Sequence, residues 1–143
     1  MEVVRLVLDT SIVAAGLRSR NGAANAVLQK IATRELTLLA SPPLFLEYED
    51  VLLRPEQRLA HGFSVDEIEG FLADLALLIE PVKIYFHWRP QLIDPSDEIV
   101  LETAINGAAD AIVTHNLRHF AAASRRFQLK ILRPGELLRS LRV

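Results

Sequence analysis

Short apolar runs alternate along the chain with longer segments in which apolar residues recur every three or four positions. Runs rich in β-branched residues are typical of buried strands. The pattern predicts strands over residues 3–8, 36–40, 82–85, 111–114 and 129–132. Strands separated by helices indicate an α/β fold, with a mainly parallel central sheet of about five strands and helices on both faces, giving three layers.

Helix starts and stops support this division of the chain. A helical period covers residues 22–33, and Ser41 stands as a cap before a helix that runs to about residue 53. Ser64 and Glu67 have the capping-box spacing, at the start of a helix that runs to about residue 79. Asp94 caps a further helix that Asn106-Gly107 closes, a terminal helix begins at Pro134, and residues 88–93 form a loop.

Composition narrows the class of protein. The length of 143 residues predicts a single domain over residues 1–143. The chain has no cysteine, which excludes a disulfide scaffold, a thiolate metal site and a cysteine nucleophile. No apolar stretch approaches the roughly 18–20 residues that cross a bilayer, and the first residues do not resemble a secretion signal. We therefore expect a soluble cytoplasmic protein with no membrane partner.

The formal net charge of −2 conceals an asymmetry. Residues 1–116 carry 9 basic and 17 acidic side chains, whereas residues 117–143 carry 7 basic and one acidic. Such a basic segment fits a phosphate-binding surface or a contact with a partner. Arginines on ordinary solvated helix faces explain it equally well.

Two polar residues follow predicted strands at the sheet edge where ligands bind in open α/β folds. Asp9 ends the first strand, and Asn116 stands two residues beyond the strand 111–114. A helix cap is an equally good interpretation of Asp9 taken alone.

Two further acids fall on inward helix faces. Asp97 shares the apolar stripe of Val100, Leu101 and Ala104, and as the third helical residue it also suits the helix dipole. Glu47 flanks the apolar face of its helix, which is a weaker signal. We expect four other acids to lie on solvated faces, namely Glu49, Asp50, Glu98 and Glu102.

Carboxylates that converge from distant parts of the chain repel one another unless a cation occupies the site. Oxygen ligands without cysteine or paired histidines suit Mg²⁺ or Mn²⁺ rather than Zn²⁺. The chemistry that this site predicts is metal-assisted phosphodiester or phosphoryl transfer.

The motifs resemble those of the PIN-domain ribonucleases, in particular bacterial PIN proteins regarded as toxins of toxin–antitoxin pairs. The match runs through the whole chain in order and spacing. It covers Leu6-Val7-Leu8-Asp9-Thr10-Ser11, then Ser41 to Leu52 with Glu47, then Asp94-Pro95-Ser96-Asp97-Glu98, and finally Gly107 to Asn116.

The resemblance implies a Mg²⁺- or Mn²⁺-dependent endoribonuclease that hydrolyses single-stranded RNA, with an antitoxin partner and a homodimeric state. It places catalytic roles on Asp9, Glu47, Asp97 and Asn116, the first three as metal ligands. It assigns supporting roles to Thr10, Ser11, Asp94 and Thr114. Candidate nucleic-acid contacts are His115, Arg118, His119, Arg125 and Arg126.

The chain departs from the family pattern at Asn116, where an acid is common. The amide still offers an oxygen ligand but removes one negative charge, which predicts weaker metal binding or lower activity. Asp110 is not a substitute for the missing acid, because it precedes its strand at the opposite end from Asn116.

Two rival functions stay open. A haloacid-dehalogenase-like phosphohydrolase also ends its first strand in Asp, but it needs a second acid at the position of Ser11. A catalytically weak or inactive PIN-like module that acts through partner or dimer contacts fits the substitution at Asn116.

Overall fold

The central sheet holds five parallel strands in the order β3-β2-β1-β4-β5. The structure, a computed structural model, describes residues 3–86, 92 and 94–141. The strands are β1 (Arg5–Leu8), β2 (Thr37–Ala40), β3 (Ile79–Pro81), β4 (Ala111–Val113) and β5 (Lys130–Leu132). This confirms the predicted α/β class and the parallel sheet.

Helices cover both faces of this sheet. Within the described ranges they are α1 (Thr10–Arg18), α2 (Ala23–Ala32), α3 (Pro42–Leu53), α4 (Pro55–His61), α5 (Val65–Leu78), α6 (Pro95–Asn106), α7 (Leu117–Phe127) and α8 (Pro134–Ser140). Consecutive strand residues point to opposite faces, and Leu6, Val7 and Leu8 are all fully buried. The central strand is therefore covered on both sides, which confirms the three-layer α/β/α arrangement.

Three predicted helix starts differ in how they are stabilised. The Ser64 hydroxyl accepts from the Glu67 amide, and the Glu67 carboxylate accepts from the Ser64 amide, so the capping box is confirmed. The Asp94 carboxylate caps α6 by accepting from the Ser96 amide at 2.9 Å. Ser41 occupies the cap position of α3 but its hydroxyl bonds Thr103 Oγ1 at 2.7 Å, so it does not cap the helix.

The third strand begins three residues earlier along the chain than the sequence pattern predicts. The structure places it at Ile79–Pro81, with Ile79 beside Leu38 and Pro81 beside Ala40. Helix α5 passes into this strand without a loop. A proline is tolerated there because β3 lies at the edge of the sheet, where fewer amides are needed for pairing.

The glycine that closes α6 is required by close packing. Gly107 has a φ of −90°, within the range of any residue. A Cβ at this position would lie 2.8 Å from Val82 Cγ2 and 3.1 Å from Leu39 Cδ1. Because glycine has no Cβ, the end of α6 can pack closely against β2 and the segment after β3.

Three helices had not been predicted, namely α1, α4 and α7. In α7 only Phe120 and Ala123 are buried, so the chain there lacks a wide apolar stripe. The predicted loop over residues 88–93 lies outside the described residues except for Leu92. No helix in the described part of the chain has the length and apolar character needed to cross a membrane.

Candidate active site at the carboxyl edge of the sheet

Asp9 lies directly beyond the end of the central strand β1 and is 5% exposed. Its amide donates to Val113 O at 2.9 Å, which joins it to the neighbouring strand β4. Its Oδ2 accepts from Ser11 Oγ at 2.9 Å and from Thr114 Oγ1 at 2.7 Å. The Thr10 hydroxyl lies 3.5 Å from Oδ1, too far for a strong bond. Two hydroxyls thus fix one oxygen of Asp9 and leave the other available.

Tyr48 on α3 contacts the carboxyl end of β1, and the sequence pattern did not identify it as a site residue. The side chain is fully buried, and its hydroxyl donates to Leu8 O at 2.5 Å. Burial raises the pKa of the Tyr48 hydroxyl and the nearby Asp9 charge raises it further, against the opposing bond to Leu8. Tyr48 therefore stays protonated and anchors α3 to β1. Its signal was the spacing of Leu44, Tyr48 and Leu52 along one helix face.

Asp97 lies in the first turn of α6, within electrostatic range of Asp9, and is 6% exposed. Its Oδ2 lies 3.0 Å from His119 Nδ1, which belongs to the first turn of α7. Burial raises the pKa of the Asp97 carboxyl, the charges of Asp9 and Asp94 raise it further, and His119 opposes them. The burial of Asp97 agrees with the inward orientation that its helical position predicts, and the charge of Asp9 acts on its carboxyl group.

Glu47 reaches this cluster through one intermediate residue. It is half-buried on α3, and its Oε1 accepts from Ser96 Oγ at 3.2 Å. Ser96 directly precedes Asp97. The structure therefore brings Glu47 beside the first turn of α6, while Glu49 and Asp50 are exposed as predicted.

Asn116 lies two residues beyond Thr114, directly before α7. The Asn116 side chain is exposed, and the Asn116 backbone amide donates to Thr114 Oγ1 at 2.9 Å. The Thr114 hydroxyl thus links Asn116 to Asp9. A cavity of about 440 Å³ opens here, lined by Asp94, Asp97, Arg118 and His119.

The predicted nucleic-acid contacts fall into three places. Arg118 and His119 line the cavity just described, and His115 lines a second groove beside β5. Arg125 and Arg126 occupy the last turn of α7, which leads back to the start of β5. That end of the sheet is opposite Asp9, so the structure does not bring these two arginines to the site.

Two acids predicted on a solvated face are buried instead. Glu98 is 4% exposed and Glu102 is 3% exposed. The reason is the chain after β3, which lies along α6. The Leu92 amide donates to Glu98 Oε1 at 2.6 Å, and the Tyr85 and Phe86 amides donate to Asn106. Helical periodicity within α6 carries no information about this covering segment.

The donor set suits a hard divalent cation but does not form a complete cage. The available groups are carboxylate and hydroxyl oxygens, which Mg²⁺ and Mn²⁺ prefer. Among the residues that the structure describes, no group of three or more acidic, histidine or cysteine side chains is close enough to hold a metal. Mg²⁺ commonly takes one or two protein carboxylates and completes its shell with water and substrate oxygens. Asp9 and Asp97 fit that pattern, with Glu47 and Asn116 at its margin.

The chain belongs to the PIN domain family, which matches residues 5–118. These residues contain β1, β2, β3, β4 and every acid of the cluster. No curated protein matches the chain.

Two solved structures share the fold. One is the structure of FitAB bound to an IR36 DNA fragment, at 21% identity and a TM-score of 0.56, covering 90% of this chain and 94% of the other. The second is the crystal structure of DNA-bound VapBC from Salmonella typhimurium, at 17% identity and a TM-score of 0.56, covering 92% of this chain and 98% of the other. At these identities the similarity establishes the fold.

Proposed function

We propose that the protein is a metal-dependent endoribonuclease that hydrolyses single-stranded RNA. The observation that carries the proposal is the pair of buried carboxylates, Asp9 and Asp97, at the carboxyl edge of a PIN-domain sheet, near enough that the charge of Asp9 raises the pKa of Asp97. Two such charges raise each other's free energy unless a cation lies between them. A substrate phosphate beside that cation is the reaction centre that the proposal requires.

The residues of the chain have separate roles in this proposal. Asp9 and Asp97 would hold Mg²⁺ or Mn²⁺, and Glu47 would contribute from the side of Ser96. Ser11 and Thr114 fix the orientation of Asp9, and Asn116 faces the substrate beyond Thr114. When bound, the cation supplies positive charge to the phosphate oxygens and lowers the pKa of a coordinated water. His119 holds Asp97, and Arg118 in the same cavity contacts the RNA backbone.

We further propose that the protein is the toxin of a toxin–antitoxin pair and forms a homodimer. The resemblance of its motifs to bacterial PIN toxins supports this partner. The two similar structures are also assemblies, FitAB and VapBC, both bound to DNA. Co-expression with the product of an adjacent gene, followed by sedimentation of the free and complexed chain, tests both statements.

The activity is tested with purified protein and an unstructured RNA oligonucleotide. We expect cleavage with Mg²⁺ or Mn²⁺, none with EDTA, and slower or no cleavage of the matching duplex and of single-stranded DNA. Contaminating nuclease is excluded by an Asp9→Asn variant prepared in the same way. Equal cleavage by that variant would reject the site.

A weak or inactive binding module is the second candidate. It is favoured by the lack of a three-acid cluster among the described residues and by an exposed Asn116 where an acid is common. This candidate predicts neither Mn²⁺ binding by calorimetry nor RNA cleavage, with a stable complex formed with the partner. The first candidate predicts both metal binding and cleavage.

A further inference from the structure

A second groove of about 550 Å³ lies at the same edge of the sheet as Asp9, beside the ends of β4 and β5. One wall carries His115, which directly follows Thr114, and Arg133, which directly precedes α8. Glu136 and Arg139 of α8 lie on the same wall. The other wall is formed by small side chains at the junction of α1 and α2. All the charged side chains of this groove therefore lie on one wall.

The arginines of this groove are available to a ligand. Arg133 and Arg139 are exposed, and neither forms an ion pair within residues 3–86, 92 and 94–141. Among the described residues that line the groove, the single acid is Glu136, which is half-buried and accepts from the Arg133 backbone amide at 3.1 Å. Arg139 Nη1 lies 3.5 Å from the place where a Cβ on Gly135 would be, so its side chain turns back toward the start of α8. Arg133 directly precedes α8, so it lies at the same end of this helix toward which the Arg139 side chain turns.

One residue of the groove directly follows, in sequence, a residue of the proposed active site. His115 follows Thr114, whose hydroxyl bonds Asp9. Residues 1–116 carry an excess of eight acidic side chains, which opposes the approach of a polyanion to that part of the chain. Guanidinium groups bind phosphates through paired hydrogen bonds. A strand that leaves the acidic site along this edge, past the ends of β4 and β5, passes the groove that Arg133 and Arg139 line.

We propose that the groove of His115, Arg133 and Arg139 binds the phosphate backbone of single-stranded RNA next to the bond that is cleaved. This assignment rests on the proposed function, because the strand is the substrate of the Asp9 site. It also explains part of the basic character of residues 117–143. It excludes Arg125 and Arg126, at the other end of α7, from backbone contact.

The test measures binding of a 2′-O-methyl RNA decamer, which is not cleaved, by fluorescence anisotropy in EDTA at 50–200 mM salt. The test variant is Arg133→Ala with Arg139→Ala, and the control of equal charge is Arg125→Ala with Arg126→Ala. Losing two phosphate contacts lowers the salt slope by about 1.4, at ~0.7 per contact on a single strand. Raising the salt fourfold then weakens binding by wild type about sevenfold more than binding by the test variant.

The control variant is expected to keep the wild-type slope, and Arg133→Lys with Arg139→Lys to keep most of it. An unchanged slope in the test variant overturns the proposal. So does a test variant that keeps RNA binding and loses only binding to polyglutamate, which would assign the groove to an acidic protein segment. A changed slope without any RNA cleavage by wild type refutes the activity alone, whereas cleavage with an unchanged slope refutes the groove alone.

Discussion

Two aspartates at opposite edges of the sheet have opposite electrostatic surroundings. Asp110 precedes β4 at the amino edge, where its Oδ2 accepts from the amides of Val4 at 3.0 Å and Arg5 at 2.8 Å. Burial alone raises the pKa of its carboxyl, but these bonds and the charges of Arg5 and Lys130 outweigh burial and lower it. Asp97 at the carboxyl edge has its pKa raised, by burial first and then by Asp9 and Asp94.

The difference separates an acid that the fold itself stabilises from one of the acids to which we assign a role in the proposed site. Asp110 has donors and cations within the chain, so its ionised form stabilises the fold. Asp97 has another carboxylate where a cation would be expected, and only His119 opposes the repulsion. The prediction that Asp110 is structural is consistent with these contacts. A chain that maintains repulsion at one edge gains from it only if a ligand of opposite charge binds there.

The largest effect is expected from Asp9→Asn. It removes one charge from the carboxylate pair while keeping an oxygen for Ser11 and Thr114. We expect metal-dependent RNA cleavage to fall at least about 100-fold, since a metal ion contributes several kcal/mol to transition-state stabilisation. The matched control is Asp110→Asn, the same substitution at the other edge of the sheet. We expect this variant to keep the wild-type cleavage rate per folded molecule. Equal losses in both variants would contradict the comparison.

Asp110→Ala is expected to affect stability instead. It leaves the Val4 and Arg5 amides without their acceptor, a loss that costs about 1–3 kcal/mol of the free energy of unfolding when the groups are desolvated. Urea denaturation measures the loss, with cleavage at low temperature as the check on the site. A stable variant with reduced cleavage would reverse the roles that we assign to the two edges.

The two acids also predict opposite pH dependences. The folded pKa of Asp97 lies above its unfolded value of about 3.9, so its contribution to stability falls as the pH rises through that interval. Asp110 has a lowered folded pKa, so its contribution is present above the unfolded value and is lost as the pH falls through the folded one.

Urea denaturation from pH 3 to pH 7 in EDTA tests this contrast. Relative to wild type, Asp97→Asn gains stability as the pH rises, whereas Asp110→Asn loses it. If the two variants show parallel differences from wild type across this range, the electrostatic contrast is wrong.

The smallest effect is expected from Asn116→Asp. It adds one charge to the exposed rim beside Thr114. We expect Mn²⁺ to bind about fivefold more tightly by calorimetry, from about 1 kcal/mol of added attraction near the surface. Ala121→Asp, at an exposed position of α7 five residues further along the chain, is the control for added charge. No difference between the two variants would place Asn116 away from the cation.

Local patterns predicted the elements and the inward acids well. The strand before Asp9, the cap at Asp94 and the angle of Asp97 depend on residues within one or two turns, so the sequence carried them. The errors arose where a distant segment decides the environment. Glu98 and Glu102 lie under the chain after β3, and Ser41 turns from its own helix to bond Thr103 on α6. β3 itself was displaced because its place is set by pairing with β2.

The sequence by itself determined that strands and helices alternate, that an acid ends the first strand and that two more acids lie on or beside inward helix faces. Those features follow from periodicity and capping, which act over a few residues. Only the tertiary structure decided that Asp97 comes within electrostatic range of Asp9 and that Tyr48 supports the end of β1. It also decided that Arg133 and Arg139 lie at the same edge of the sheet as these acids, while Arg125 and Arg126 do not. Strand order and helix direction set these distances, because the residues concerned come from elements far apart in the chain.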